Sequence, residues 1–488
     1  MANTVTVFWF RQDLRISDNP GLIAAAQNGA VLPIYIFDNN VANQFNIGNA
    51  SKWWLHHSLN NLNKLLDNNL NIYCGDPKAI ILKIIKKHSI NSIYWNRCYD
   101  PYSIKNDTII KSSLKNQNID CKSFNGSLLW EPWDILKQDG TPYKVYTYFY
   151  RNGCLKLPTP RKPFSKPKQL KLLKDDNNTC TIEQLKLLSP IKWYNNIELM
   201  WQVGEHAAQK KLATFLNSYL LTYKENRNYP AKQNVSKLSA YLHFGEISPH
   251  QIWHTAKNNK ELTHDLDHFL SEIAWREFAY YLLYHFPELP RKNFQAKFDK
   301  FPWQHNAKFL VAWQKGQTGY PMVDAGMREL WQTGYMHNRV RMIVGSFLVK
   351  NLLLHWHHGE DWFWDCLLDA DLANNSSSWQ WIAGCGADAA PYFRIFNPVT
   401  QGEKFDMDGD YTKKFIPELA ELPSKYLFKP WEAPDAILNS AGVILGKTYP
   451  KPIVDLKFSR NKAIEAYKAI DANMEIESET KSSLQSPR

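Results

Sequence analysis

Five short apolar runs, separated by stretches of helical periodicity, constrain most strongly what this chain folds into. Residues 4–10, 31–37, 70–74, 92–95 and 119–124 are rich in β-branched and aromatic side chains and read as buried strands. Among the intervening stretches, residues 52–66 place Leu55, Leu59, Leu62 and Leu66 on one helical face. Strands that alternate with helices pair in parallel and need right-handed crossovers. The pattern predicts a doubly wound parallel α/β domain over residues 1–130.

That rhythm stops near 131. Residues 151–174 contain eight Lys/Arg, four Pro and no Asp/Glu, which no long regular element accommodates. Residues 131–200 are therefore expected to form a surface connector, either a solvated basic linker or a segment lying near a polyanion. From 201 to 472 the periodicity is helical almost throughout, with Leu212, Phe215, Leu216 and Tyr219 on one face and Phe269, Ile273 and Phe278 on another. The fold class expected is thus α/β followed by a large all-α domain. The polar end, 473–488, is expected to be a disordered tail.

Composition narrows the function. A formal net charge of +11 suits a polyanionic partner, nucleic acid first, although an ordinary basic protein carries such a charge equally well. No apolar run approaches the length of a membrane span, so no membrane partner is expected. Met1-Ala2-Asn3-Thr4 opens no basic, then apolar leader, and the seven scattered Cys form no CxxC pair. The cytoplasm is the expected compartment, with neither a disulfide framework nor a zinc ribbon.

Several familiar patterns fail. Gly384-Cys385-Gly386-Ala387-Asp388-Ala389 spells a dinucleotide fingerprint but follows helical sequence instead of a strand. Acidic loops starting at Asp369 and Asp406 lack the carboxylate that a calcium loop needs at its twelfth position, where Gln380 and Pro417 stand. His355 and His358 share a helical face without a third ligand. No metal is expected.

The informative segment is Asp369-Ala370-Asp371-Leu372-Ala373-Asn374-Asn375-Ser376-Ser377-Ser378-Trp379-Gln380-Trp381. Two carboxylates, two amides and two indoles crowded between apolar helices must all find partners. A capped helix junction would satisfy them, and so would a large polar heteroaromatic ligand. At this point the sequence resembles the photolyase/cryptochrome flavoprotein family, over about residues 1–470. The likeness lies in Trp9-Phe10-Arg11-Gln12-Asp13-Leu14-Arg15, Lys237-Leu238-Ser239-Ala240-Tyr241-Leu242, Trp275-Arg276-Glu277-Phe278 and Thr318-Gly319-Tyr320-Pro321-Met322-Val323-Asp324-Ala325. It continues in Met336-His337-Asn338-Arg339-Val340-Arg341 and Asp388-Ala389-Ala390-Pro391-Tyr392-Phe393-Arg394. Within the family it most resembles microbial photolyases of cyclobutane pyrimidine dimers.

The resemblance implies FAD held in the helical domain. Tyr223, Ser236, Lys237, Leu238 and Ser239 would hold its phosphates and ribityl chain, with Val235 and Lys237 departing from the usual Thr and Arg. Trp275 would stack near adenine and lesion, and Arg276 would lie near the phosphates. Asn375 would sit at the flavin N5, Asp371 at the ring's polar edge, and Asp369 and Arg341 would pair against the ring. Trp379, Trp356 and Trp303 would relay electrons from flavin to surface. Glu272, Trp275, Trp381, Met342 and Asn338 would meet a flipped-out lesion, Asn338 touching the flavin as well, and Arg227, Arg339 and Arg394 would meet the DNA phosphates. An antenna pigment is implied on the α/β domain near Trp95-Asn96-Arg97-Cys98-Tyr99-Asp100-Pro101-Tyr102. Methenyltetrahydrofolate is the first expectation, with a deazaflavin or no pigment as alternatives.

Light-driven repair of UV-damaged DNA by a monomer is the function so implied, as a deoxyribodipyrimidine photo-lyase. A cryptochrome photoreceptor, a (6-4) photolyase and a DNA-binding flavoprotein without repair are the rivals. Asn375, Glu272, the short tail and the Asn338 segment favour dimer repair.

Overall fold

The computed structural model describes residues 4–38, 46–175, 179–258, 264–389, 391–392 and 394–484, with side chains up to 470. The chain divides into two compact units. One comprises Met1–Lys224, Asn234–Pro287 and Leu367–Ala373, and the other Glu225–Gln233, Glu288–Cys366 and Asn374–Arg488.

The first unit carries the expected sheet. Strands β1 (Val5–Phe10), β2 (Ala30–Phe37), β3 (Asn71–Cys74), β4 (Ser92–Asn96) and β5 (Asp120–Phe124) alternate with helices α1 (Pro20–Asn28), α2 (Asn49–Leu65), α3 (Pro77–His88) and α4 (Pro101–Lys115). All pairs are parallel, in the order β3-β2-β1-β4-β5. The near-continuous apolar runs are explained by burial on both faces: Val7, Trp9, Leu32, Ile34, Ile93 and Trp95 from the strands pack with Ile81, Ile84, Ile85, Ile110 and Leu114 from α3 and α4. Each such side chain contributes about 1.5–3 kcal/mol by leaving water. Asn19, Asp76 and Asp100 each accept a backbone N–H from the first turn of α1, α3 and α4, and Pro follows each cap.

The same unit also takes in much of the helical run: Glu205–Ser218, Ser239–His243, Pro249–Lys257 and His264–His285. Buried polar groups tie these segments to the sheet. Arg15, fully buried, donates to the carbonyls of Asp18, Gly126 and Gly245. Glu205 accepts from the backbone N–H groups of Ile16 and Ser17. Gly245 has φ +68°, and a Cβ there would stand 2.1 Å from Gln12 O, so the two backbones can meet only at glycine. Glu246 is fully buried and accepts from Trp54 Nε1 (3.1 Å) and Ser58 Oγ (2.6 Å) of α2. Residues 151–174 are mostly irregular but pinned locally: Lys171 and Leu173 bond Val31 of β2, and Arg161 pairs with Asp18. The three-part division expected from the run of elements thus differs from how those elements pack.

The second unit is helical. It contains Ala307–Gln314, Pro321–Thr333, Asn338–Ser346, Trp356–Cys366, most of Leu372–Ala383, and Leu456–Leu484. A wider turn, Phe347–Asn351, continues the helix Asn338–Ser346. Asp324 is fully buried within it, accepting from Thr318 N, Thr318 Oγ1, Gly319 N and Tyr449 Oη. One expectation needs correction. Residues 473–484, expected in a disordered tail, continue the last helix to Leu484, since their Glu, Lys and Met residues are good helix formers. Residues 485–488 lie outside the described residues.

Candidate functional site

The residues singled out in the sequence divide between the two units. Trp95–Tyr102, Tyr223, Val235, Ser236–Ser239, Glu272, Trp275, Arg276, Asp369 and Asp371 belong to the first, and Arg227, Trp303, Asn338, Arg339, Arg341, Met342, Trp356, Asn375, Trp379, Trp381 and Arg394 to the second.

In the first unit, Tyr223 is buried against Phe215 (5.4 Å) and Phe269 (5.7 Å). Ser236–Ser239 lead into the helix Ser239–His243, with Leu238 buried beneath them and Lys237 at φ +51°. Lys211, on the helix Glu205–Ser218, holds its proton less tightly than usual because of burial and then the charge of Lys237. Two ammonium groups close enough to repel each other, beside two hydroxyl side chains, suit a pyrophosphate. The sequence reading missed Lys211; its only signal is a basic residue on a helix that Lys237 faces.

Asp371 is the second feature. It accepts from Tyr280 Oη and lies 3.4 Å from His243 Nδ1. Burial alone would raise its proton affinity. The His243 contact, the Arg276 charge and the Tyr280 bond outweigh burial and hold it ionised, below the usual carboxylate range. Arg276 in turn donates to Ser127 O (2.9 Å), pairs with Glu277 (3.3 Å) and lies over the Tyr280 ring (4.7 Å). His243 and Tyr280 went unnoticed in the sequence, although Tyr280 follows Arg276 by one helical turn.

Trp275 and Glu272 are one turn apart on the helix His264–His285, so they share a side. Trp275 stacks on Tyr146 (3.7 Å, 9°), which stacks on Tyr150 (5.9 Å, 18°). This aromatic wall extends into the connector, where the run Tyr143-Lys144-Val145-Tyr146-Thr147-Tyr148-Phe149-Tyr150 was its only trace.

In the second unit, three arginines distant in sequence converge. Arg339 has its proton affinity lowered by burial and then by the charges of Arg227 and Arg394. Its guanidinium donates to Asn228 Oδ1 (2.5 Å), meets Met342 Sδ (3.9 Å) and covers the Phe405 ring (4.5 Å). Asn338 is exposed at the start of the same helix, whose first turn is capped by His337. Arg341 donates to Met336 O (2.8 Å). The expected Asp369–Arg341 pair joins residues of different units and remains a proposal.

Asn375 is buried and donates through Nδ2 to Glu360 O (3.0 Å), so its amide is left with an acceptor oxygen. Glu360 accepts from Ser376 Oγ (2.6 Å), and burial pushes its carboxyl up to about 8. Trp379 is buried against Gly359, edge-on to Phe363 (4.9 Å) and Trp313 (6.2 Å). Trp356 is fully buried and donates to Asn293 Oδ1 (2.9 Å). Trp303 is half-buried and reaches Trp356 through His355, at 5.1 and 5.6 Å. Gln380 bonds Leu289 O, Lys292 O and Phe294 N, which clamps the loop that carries Asn293. Trp381 is half-buried on the same helix as Trp379.

Residues 6–168 match the DNA photolyase domain, and residues 269–469 match the FAD binding domain of DNA photolyase. The deoxyribodipyrimidine photo-lyase of Agrobacterium fabrum is 46% identical over 95% of this chain and 98% of its own length. This chain belongs to the photolyase/cryptochrome family. Cryptochrome-2 of Arabidopsis thaliana is 38% identical over 94% of this chain and 78% of its own length. A crystal structure of a bacterial class III photolyase from Agrobacterium tumefaciens superposes with a TM-score of 0.93, at 45% identity, covering 97% of this chain and 98% of that one. The family's FAD-binding domain spans the residues of both units that the sequence singled out from 272 onward. The gap between the two matched domains, 169–268, holds Tyr223 and Ser236–Ser239. Among the described residues no helix is long and apolar enough to cross a membrane.

Proposed function

We propose that the chain repairs cyclobutane pyrimidine dimers in DNA under blue or near-UV light. The observation that carries this reading is the convergence of Arg227, Arg339 and Arg394 beside Met342 on the helix that opens with Asn338. Arg339, repelled by both Arg227 and Arg394, is stabilised by polyanion phosphates, and binding then weakens as salt rises.

The residues fit FAD. Lys237 and Lys211 supply charge for its phosphates, ionised Asp371 an acceptor for a ring N–H, and Asn375 an acceptor oxygen for a protonated N5. Bound there and reduced, FAD would supply one-electron chemistry that is redox-neutral overall. The chain's own residues do the rest. Arg227, Arg339 and Arg394 hold the strand while the damaged pair leaves the stack, as in the base flipping that photolyases exemplify, at a cost of about a few kcal/mol. Trp275, braced by Tyr146, gives the extruded pair a flat wall worth about 1–3 kcal/mol per base. Trp381, Met342 and Asn338 complete the walls. Glu272, on the same side of its helix as Trp275, faces the extruded pair, and only its neutral carboxyl would donate to a lesion carbonyl and stabilise the negative charge developing there. Trp379, Trp356 and Trp303 pass an electron inward when the cofactor must be reduced. A folate antenna is proposed for the α/β region, with a deazaflavin as the alternative.

Illumination of the reduced, FAD-loaded protein with an oligonucleotide carrying one thymine dimer decides the matter. Restored thymines are expected. An unchanged dimer would leave the cryptochrome reading, which the 38% identical relative favours. Repair of a (6-4) lesion in its place would shift the substrate class.

A further inference from the structure

Lys350 lies on the wide turn Phe347–Asn351 and has no exposed surface. A fully buried lysine is costly unless its polar end is satisfied. Its Nζ donates to Arg394 O (3.1 Å) and lies 5.1 Å from the Tyr392 ring. Tyr392 is itself stacked on Tyr467 of the last helix (4.8 Å, 8°). Two residues beyond Arg394, Phe396 N donates to Ser346 Oγ (3.1 Å). The backbone is therefore fastened before, at and after Arg394, whose own side chain is exposed. A methionine at 350 would fill the same volume without repelling the arginines, yet it would leave Arg394 O without its donor. Burial, then the charge of Arg394, pushes the Lys350 ammonium down to about 7.

We propose that Lys350 is a positioning residue for nucleic-acid phosphate: from inside the fold it anchors the Arg394 backbone, and so aims the Arg394 guanidinium toward Arg227 and Arg339. This rests on the reading of Arg394 as a phosphate contact.

The test measures binding of a fluorescent duplex with one thymine dimer to the FAD-loaded full chain across a salt series, for wild type, Lys350→Met, Arg394→Ala and the double variant. Loss of one phosphate contact lowers the slope of log affinity against log salt by about one, and affinity at low salt falls about tenfold. Both single variants are expected to show this, and the double variant to show little more than either, because both remove one contact. A Lys350→Met slope equal to wild type, with losses that add to those of Arg394→Ala, would overturn the proposal and leave Lys350 a core residue. If Arg394→Ala alone leaves affinity and slope unchanged, the phosphate reading of Arg394 fails, and this proposal with it. Should Lys350→Met not fold, Lys350→Gln, which keeps an N–H donor without charge, answers the same question. Because the amide donor can still hold Arg394 O, Lys350→Gln is expected to give the wild-type slope, and a lowered slope whose loss adds to that of Arg394→Ala would overturn the proposal. A wild-type affinity and slope for Lys350→Ala, which has no donor, overturns the proposal.

Discussion

The indole of Trp379 occupies the space where any residue but glycine at 359 would carry its side chain: a Cβ there would stand 2.0 Å from Trp379 Cη2. Gly359→Ala is expected to displace the indole and to destabilise the fold by about 1–3 kcal/mol, as overpacking does. Photoreduction of the oxidised cofactor, followed by flavin absorbance under light with a thiol reductant, should slow. Trp379→Phe should slow it too, while repair by already reduced protein is spared. Equal photoreduction rates in Trp379→Phe and wild type would remove Trp379 from the relay.

The stacked pair Trp275–Tyr146 predicts a selective loss. Trp275→Ala should weaken binding of dimer-containing duplex by about 1–3 kcal/mol, with undamaged duplex little affected. A titration showing equal loss on both duplexes would mean that Trp275 does not touch the lesion. Glu272→Ala should lower the repair yield per absorbed photon, measured with pre-reduced protein.

Asp371 is an ionised carboxylate inside the fold, and its bonds from Tyr280 and His243 aim it. Asp371→Asn keeps the shape but not the charge, and the loss of a charged hydrogen-bond acceptor costs about 1.5–3 kcal/mol of cofactor binding. The ratio of flavin to protein absorbance after gel filtration should drop. A full flavin complement would show that Asp371 serves the fold alone.

Glu246 makes stability depend on pH. Burial raises its carboxyl from 4.5 to about 8, so between those values the folded chain binds more protons than the unfolded one. Its contribution is fully present below pH 4.5 and is lost as pH rises through about 8. Glu246→Gln should flatten the fall in denaturation midpoint between pH 5 and 8. A midpoint profile parallel to wild type would show that Glu246 does not titrate in this range.

The strands were legible because a sheet buried on both faces needs continuous apolar runs, and all five observed strands lie within a residue of the predicted bounds. The candidate site was less so. Lys211, Tyr146, His243 and Tyr280 carry no motif of their own and matter only through what stands beside them. The last helix was missed because polar composition was read as disorder, whereas Glu, Lys and Met also favour helix.

Local pattern determined the alternation of strands and helices, the caps of α1, α3 and α4, and the family, since each depends on residues close in the chain. Tertiary structure decided which helices pack with the sheet, how Asp371 stays ionised, and that Arg227, Arg339 and Arg394 meet. Those outcomes depend on burial and on charges brought together from positions dozens to more than a hundred residues apart in the chain, distances over which periodicity carries no information.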